Sequence, residues 1–296
     1  MEIIRDLTTF ISKKETALTI GKFDGIHLGH RELILRTVKT ARERGLVPAA
    51  LVINMSPVTL LSKREREEML GELGIELLIE VPLSSAFIRT SAEEFLSGTL
   101  HRALRCRALV VGADFRFGYQ RQGSLELLQR EGVSFGMETI VVPHILDASR
   151  RISSSRIRED LASGRIEEAN RQLGYNFFVT GEIIHGRQIG RTLGVPTANL
   201  IADQSKYLPP NGVYYTISTT ASSRYAGVTN IGTKPTVDGH FVGVETYFFD
   251  CDEDLYGEDL KVSLLHFARP ERRFGSLEEL KRQIEADEAG ARRYFG

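Results

Sequence analysis

Hydrophobic and polar positions along the chain follow two different rhythms, and the change falls near residue 175. Before it, short apolar runs at Ala17 to Ile20, Ala49 to Ile53, Leu77 to Val81, Ala108 to Val111 and Thr139 to Val142 have the length and composition of buried strands. Between them, Arg31 to Arg44, Lys63 to Leu73, Ala92 to Leu104 and Ser124 to Arg130 carry the helical spacing of apolar positions. Ser91 with Glu94 forms the sequence signature of a capping box at the start of the third helix. Strands alternating with helices predict a parallel sheet covered on both faces, with ligands taken in the loops beyond the carboxyl ends of the strands.

After Tyr175 the helical rhythm gives way to strands at Phe177 to Ile184, Gly212 to Ser218, Tyr225 to Asn230, Val242 to Phe249 and Lys261 to Phe267, separated by Gly, Pro, Asn and Asp turns. This spacing predicts a compact antiparallel barrel. Ser276 and Glu279 start a final helix with Leu277, Leu280 and Ile284 on one face. The fold class is therefore α/β plus all-β, with residues 1–174 and 175–296 as the expected domains. The helical stretch Ile157 to Leu173, broken at Gly164, joins them.

Composition narrows the function classes. The chain has 296 residues, which suits two domains at ~150 residues each. Lys+Arg 38 against Asp+Glu 39 leaves a formal net charge of -1, so no global field draws the chain to nucleic acid or anionic lipid. Affinity for phosphates has to be local. Cys106 and Cys251 form neither a metal motif nor a disulfide framework, and the expected setting is a reducing cytoplasm. Neither a signal peptide nor a membrane-spanning run is expected, and no heptad pattern demands a protein partner.

Candidate chemistry concentrates in a few segments. In Gly21-Lys22-Phe23-Asp24-Gly25-Ile26-His27-Leu28-Gly29-His30, the glycines permit a tight turn and the helix start offers N–H groups to phosphate oxygens. His27 and His30 project from one face of the first turn and can stabilise charge on a transferring phosphoryl group. The alternatives are loop punctuation and a surface or zinc-binding histidine pair. Gly112 to Gly118 adds Asp114, Phe115, Arg116 and Phe117 after a strand, with rings to stack on a planar ligand and arginine to fork onto phosphate. Arg151-Ile152-Ser153-Ser154-Ser155-Arg156-Ile157-Arg158 sets hydroxyls at a helix start with arginines behind, as a phosphate site or as an N-cap with a solvated basic face.

In the second half, Gly186 to Asn199 packs glycines, Arg187, Arg191 and a rigid Pro196 turn, so its backbone can wrap a phosphate chain while Thr197 and Asn199 offer oxygens to magnesium. A surface hairpin is the alternative. Glu245 lies in an apolar and aromatic strand, either to orient a hydroxyl and accept its proton or to pair with an arginine. His185, His240 and His266 have no metal spacing, and Cys106 between Arg105 and Arg107 reads as a structural thiol.

Taken together and in order, Gly-x-Phe-Asp-Gly-x-His-x-Gly-His, Gly-x-Asp-Phe-Arg-Phe-Gly and Ile-Ser-Ser-Ser-x-Ile-Arg resemble the FMN adenylyltransferase module of bacterial bifunctional riboflavin kinase/FAD synthetases. Pro196-Thr197-Ala198-Asn199, Asn211-Gly212-Val213-Tyr214, the Asn230 to Thr236 turn, Glu245, Asp254-Leu255-Tyr256-Gly257 and Arg269-Pro270-Glu271 resemble the riboflavin kinase module of the same family. The resemblance covers nearly the whole chain. It implies a Rossmann-like nucleotidyltransferase domain followed by a six-stranded kinase barrel, with riboflavin, FMN and ATP as substrates and Mg2+ as the metal.

By the same resemblance, Gly21, Phe23, Asp24, Gly25, His27, His30, Ser154, Ser155 and Arg158 bind ATP in the first domain, Asp114 and Phe115 border the flavin or nucleotide pocket, and Arg116 joins them on the flavin side. In the second, Gly186, Gly190, Arg191, Gly194, Thr197 and Asn199 hold the nucleotide and its metal, Glu245 is the base for the ribityl hydroxyl, and Arg269 joins it in holding the flavin. The family usually has Thr-Phe-x-Pro-His-Pro where this chain has Asn54-Met55-Ser56-Pro57-Val58, a departure that bears on flavin affinity rather than on reaction type. Ser155 replaces a common threonine and Val195 a frequent phenylalanine. Two other readings stay open on sequence alone: a flavin- or nucleotide-binding regulator, and an enzyme with one active module.

Overall fold

A computed structural model describes the chain apart from Met55 and residues 83–84, 185–196, 237–238 and 252–254. Gly186, Gly190, Arg191, Gly194, His185 and Asp254 therefore lie outside the described residues. The chain forms two compact units, Met1–Ser153 and Ser154–Gly296.

In the first unit, β1 (Glu2–Ile4), β2 (Thr16–Gly21), β3 (Val47–Asn54), β4 (Leu77–Pro82), β5 (Cys106–Gly112) and β6 (Glu138–Val142) build one parallel sheet in the order β1-β4-β3-β2-β5-β6. The chain runs one way from β2 to β4 and then crosses back to place β5 on the other side of β2. The carboxyl ends of β2 and β5 thus flank the point where strand order reverses, which is where such sheets open a ligand crevice.

Helix α1 (Leu28–Arg44) packs close to the sheet because Ala17, Ala41 and Ala108 present only methyl groups where they meet. Helix α2 (Lys63–Glu72) starts at a full capping box of Ser62 and Glu65. After the single turn α3 (Ser85–Ile88), α4 (Ala92–Glu94) starts at Ser91, whose hydroxyl accepts from Glu94 N. It runs on as a π-helix over Phe95–Ala103, where an α-helix was expected, and Leu104 N donates to Thr99 O in the wider register. Phe95, Leu96 and Leu100 from this segment join Leu18, Ile20, Leu51 and Leu109 in the main core. Helix α5 (Leu125–Ser134) and the hairpin of β7 (Leu146–Asp147) and β8 (Arg150–Arg151) complete the unit.

The division between units falls at 153/154, earlier than the boundary expected at 174/175, because α6 (Ser154–Ala162) and α7 (Ile166–Leu173) are tied to the barrel. Asn170 donates to Leu264 O at 2.8 Å and accepts from Phe177 N at 2.7 Å, pinning α7 to a barrel strand and to the entry of the first one. Asp160 joins the two helices, receiving Arg165 at 2.9 Å and Gln172 at 2.6 Å. The break comes at Gly164, whose φ is +72° and where any Cβ would lie 2.6 Å from the Phe267 ring.

The barrel strands are β9 (Phe178–Glu182), β10 (Thr197–Ile201), β11 (Gly212–Thr219), β12 (Arg224–Thr236), β13 (Gly239–Phe248) and β14 (Asp259–Pro270), in the order β10-β13-β12-β11-β14-β9 and antiparallel throughout. Ile184 N donates to Asn199 O at 2.8 Å and draws the two end strands together. Tyr214, Ile231, Val244 and Leu264 are buried, and Thr216, Thr229 and Thr246 satisfy one another through a run of hydroxyl contacts at 2.8 Å. Helix α8 (Leu277–Phe295), capped by Ser276, is held through Asp287, which receives Arg269 Nη2 at 2.6 Å and Nε at 2.9 Å.

Candidate active sites

The first site grows from the end of β2. To turn from strand to helix, the chain holds Phe23, Gly25 and Ile26 at φ of 46°, 82° and 35°. Two of these are not glycine, and such backbone persists where the surroundings enforce it. Here the Phe23 and Ile26 side chains are fully buried. Gly21 leaves room for the Phe23 ring, since a Cβ would stand 3.2 Å from it. Asp24 is buried too, and its Oδ1 accepts from Leu60 N at 2.6 Å, tying the turn to the segment after β3.

His27 is the N-cap of α1, with Nδ1 accepting from His30 N at 3.3 Å. The imidazoles of His27 and His30 stack with centroids 3.8 Å apart and planes 13° from parallel, and Gly29 allows this because a Cβ there would be 3.3 Å from the His27 ring. Burial pushes His27 down to about 4, and burial, then the neighbouring His27 and Arg151, holds His30 well below the ordinary histidine range. Both rings are neutral at pH 7. His30 Nδ1 is buried without a hydrogen-bond partner, and the first turn of α1 contains no acidic residue to occupy the helix N-terminus. Uncharged N–H donors at a helix start suit an incoming anion.

The loop after β5 leaves the strand next to β2 in the sheet. Asp114 accepts from Arg151 Nη1 at 2.7 Å, with His144 Nε2 at 3.9 Å. Burial raises the Asp114 pKa, but the bond and charge of Arg151 outweigh it, and the carboxyl stays below its usual range. Phe117 is buried against Phe95 at 5.7 Å and Gly123, so its ring belongs to the core, whereas Phe115 is half-buried and Arg116 is exposed. Ser154, Ser155 and Arg158 lie on α6 in the second unit, where the Arg158 guanidinium sits 5.5 Å from the Tyr207 ring centroid. Cys106 is inert, its thiol pushed up to about 12 by burial.

In the second unit the expected loop residues Thr197 and Asn199 belong to a strand. Asn199 on β10 stands directly across from Glu245 on β13, and Glu245 stands across from Asn230 on β12. Residues so paired share one face of the sheet. Thr197 Oγ1 donates to Glu245 Oε1 at 2.7 Å, which orients a half-buried carboxylate. Continuing the row, Asn230 pairs with Val213 and Val213 with Arg269, whose guanidinium is committed to Asp287.

Two residues outside the candidate set also belong here. Arg151 bonds Asp114 and its charge bears on both histidines, and Glu271 receives Asn230 at 3.4 Å and Asn211 at 3.5 Å beside the Glu245 row. Both stood inside quoted motifs, Arg-Ile-Ser-Ser-Ser and Arg-Pro-Glu, but their partners are distant in sequence and so invisible to spacing. Among the described residues no three His, Cys, Asp or Glu side chains gather as a metal site, and no helix is long and apolar enough to cross a membrane.

Known families match both units. Residues 10–156 match FAD synthetase and residues 173–295 match riboflavin kinase. The bifunctional riboflavin kinase/FMN adenylyltransferase of Escherichia coli K12 is 37% identical over 290 residues, covering 94% of this chain and 92% of that protein. The chain belongs to the bifunctional riboflavin kinase/FMN adenylyltransferase family. The member from Haemophilus influenzae is 34% identical, with 94% of each chain covered. A solved structure titled a macrolide-efflux protein from Streptococcus pneumoniae superposes with a TM-score of 0.87 at 32% identity over 98% of both chains. With family membership established, the parallel sheet is nucleotidyltransferase-like and the antiparallel barrel is the riboflavin kinase barrel. The two family matches leave residues 157–172, most of the α6–α7 hairpin, between them.

Proposed function

We propose that this chain makes FMN from riboflavin in its barrel and FAD from FMN in its parallel-sheet unit, using ATP in both steps. One observation carries the reading. A chain of this family keeps a hydrogen-bonded carboxylate in one unit and a pair of uncharged imidazoles at a helix N-terminus in the other, and the two reactions need these different devices.

Phosphorylation starts from a neutral alcohol. As the ribityl 5′-oxygen bonds to the γ-phosphorus and the bond to ADP breaks, the hydroxyl proton must leave, and Glu245 takes it. Thr197 keeps Oε1 of that carboxylate fixed, so the proton acceptor is held in place before substrate arrives. Thr197 and Asn199 offer hard oxygen donors, of the kind that suits magnesium arriving with a nucleotide, which keeps several waters and needs few protein ligands. Bound there, the ion would neutralise charge on the phosphates.

Adenylylation starts from a phosphate that is already an anion. Its oxygen attacks the α-phosphorus of ATP and pyrophosphate leaves, so no side chain has to remove a proton. His27 and His30 hold the phosphate chain as neutral donors at the start of α1, and Arg151 adds positive charge beside them. Asp24 contributes through structure, by fixing the turn to Leu60. The reading places the enzyme in the cytoplasm, acting on small molecules.

Purified protein incubated with riboflavin, ATP and magnesium, with flavins separated by chromatography over time, tests it. FMN should appear first and FAD follow. FMN accumulating alone would leave a single active module, and tight flavin binding without turnover would identify a regulator.

A further inference from the structure

Arg151 faces two ways. Its Nη1 donates to Asp114 Oδ2 at 2.7 Å, and its charge also reaches the stacked rings of His27 and His30, where the phosphates of ATP are to be held. A carboxylate offers a guanidinium much the same recognition as two oxygens of a phosphate. Asp114 therefore presents, inside the first unit, an imitation of the ligand that Arg151 is placed to bind.

The strength of this pair matters. Both side chains are about half exposed, 50% for Arg151 and 52% for Asp114, and ion pairs in such surroundings are weak. A weak pair fixes a flexible arginine and still gives it up. His144, 3.9 Å from Asp114 and half-buried, is a second basic group for the carboxylate to retain when Arg151 leaves.

We propose that Asp114 is a positioning residue that parks Arg151 beside the nucleotide site and competes with the phosphates of ATP and pyrophosphate for it. The aspartate thereby keeps the arginine oriented in the empty enzyme and loosens the hold on departing pyrophosphate. It acts on the phosphate side of the reaction rather than on the flavin. The inference rests on the adenylyl-transfer reading of this site.

The test is steady-state FAD formation from FMN and ATP by the full chain, as wild type, Asp114→Asn, Arg151→Gln and the double variant, with pyrophosphate as product inhibitor. Asp114→Asn should lower both the KM for ATP and the Ki of pyrophosphate about two- to five-fold, the range of an exposed ion pair, and leave the KM for FMN unchanged. In the Arg151→Gln background, adding Asp114→Asn should have no such effect. Asp114→Ser, which removes the same charge, should repeat the result, and riboflavin phosphorylation by the same preparations reports that the chain is folded. A raised KM for FMN with unchanged ATP and pyrophosphate constants would overturn the proposal and make Asp114 a flavin contact. Equal tightening in the Arg151→Gln background would overturn it as a general effect of removing negative charge. Wild-type protein that makes no FAD would instead remove the underlying reading.

Discussion

The two units hold their reactive groups in opposite ways. In the parallel-sheet unit the imidazoles stand in a turn between strand and helix, where Phe23 and Ile26 adopt left-handed backbone and burial keeps both rings uncharged. In the barrel the reactive carboxylate stands within strand β13, in register with Asn199 and Asn230, and one hydroxyl orients it. A turn brings helix N–H groups and imidazoles to bear on an anion, whereas a strand aims a single base from a rigid ladder. The difference follows from the substrates, because a phosphate nucleophile needs its charge stabilised and an alcohol nucleophile needs its proton removed.

The sharpest way to break this comparison is to neutralise the barrel's base. Glu245→Gln keeps the shape and an acceptor for Thr197 but no longer takes a proton, so riboflavin phosphorylation should fall roughly 10²- to 10⁴-fold, the usual contribution of general base catalysis. FAD formation from supplied FMN should stay at the wild-type rate. Phosphorylation that survived the change would mean that the hydroxyl loses its proton elsewhere, and the contrast between units would collapse.

The reciprocal change is somewhat smaller. His30→Ala removes one preorganised donor and the stacking partner of His27, and FMN-to-FAD conversion should fall by on the order of 10²- to 10³-fold while riboflavin phosphorylation is retained. If instead the loss changed steeply with pH near 6.5, growing as pH falls for an acid or shrinking for a base, the histidine would be titrating in the reaction, contrary to its burial.

Much of this arrangement was legible in the residues themselves. The apolar runs ending in Gly21 and Gly112 marked the strands whose carboxyl ends meet at the switch point, and the His27 to His30 spacing already put both rings on one helical turn. Pro196 and three glycines ahead of Thr197 and Asn199 give the sequence the punctuation of a loop, and a five-residue edge strand has little pattern to outweigh that context. Phe117, between Arg116 and Gly118, has the sequence setting of a ligand-stacking ring, yet Gly123 opens space for it in the core. The contacts beyond reach were tertiary. Arg151 with Asp114, Asn170 with Leu264 and Arg269 with Asp287 join positions whose separation no periodicity encodes, and the second of these moves the division between units away from the change in rhythm at residue 175.

A last measurement bears on the parallel-sheet unit alone. An unfolded chain binds a proton on His27 near the ordinary value of about 6.5, whereas in the folded unit burial delays this to about 4. Between these limits the unfolded chain carries more protons than the folded one, so stability rises with pH across the window. The contribution is fully present above pH 6.5, shrinks as pH falls from there, and by pH 4 about 3 kcal/mol has gone at most. His27→Gln, which has no titrating ring, should flatten that part of the curve. The direct check is the His27 ring resonance followed by NMR as pH is lowered: a midpoint near 4 fits a buried neutral donor, whereas a midpoint near 6.5 would mean that the ring is solvated and that the two units do not differ in the way their burial implies.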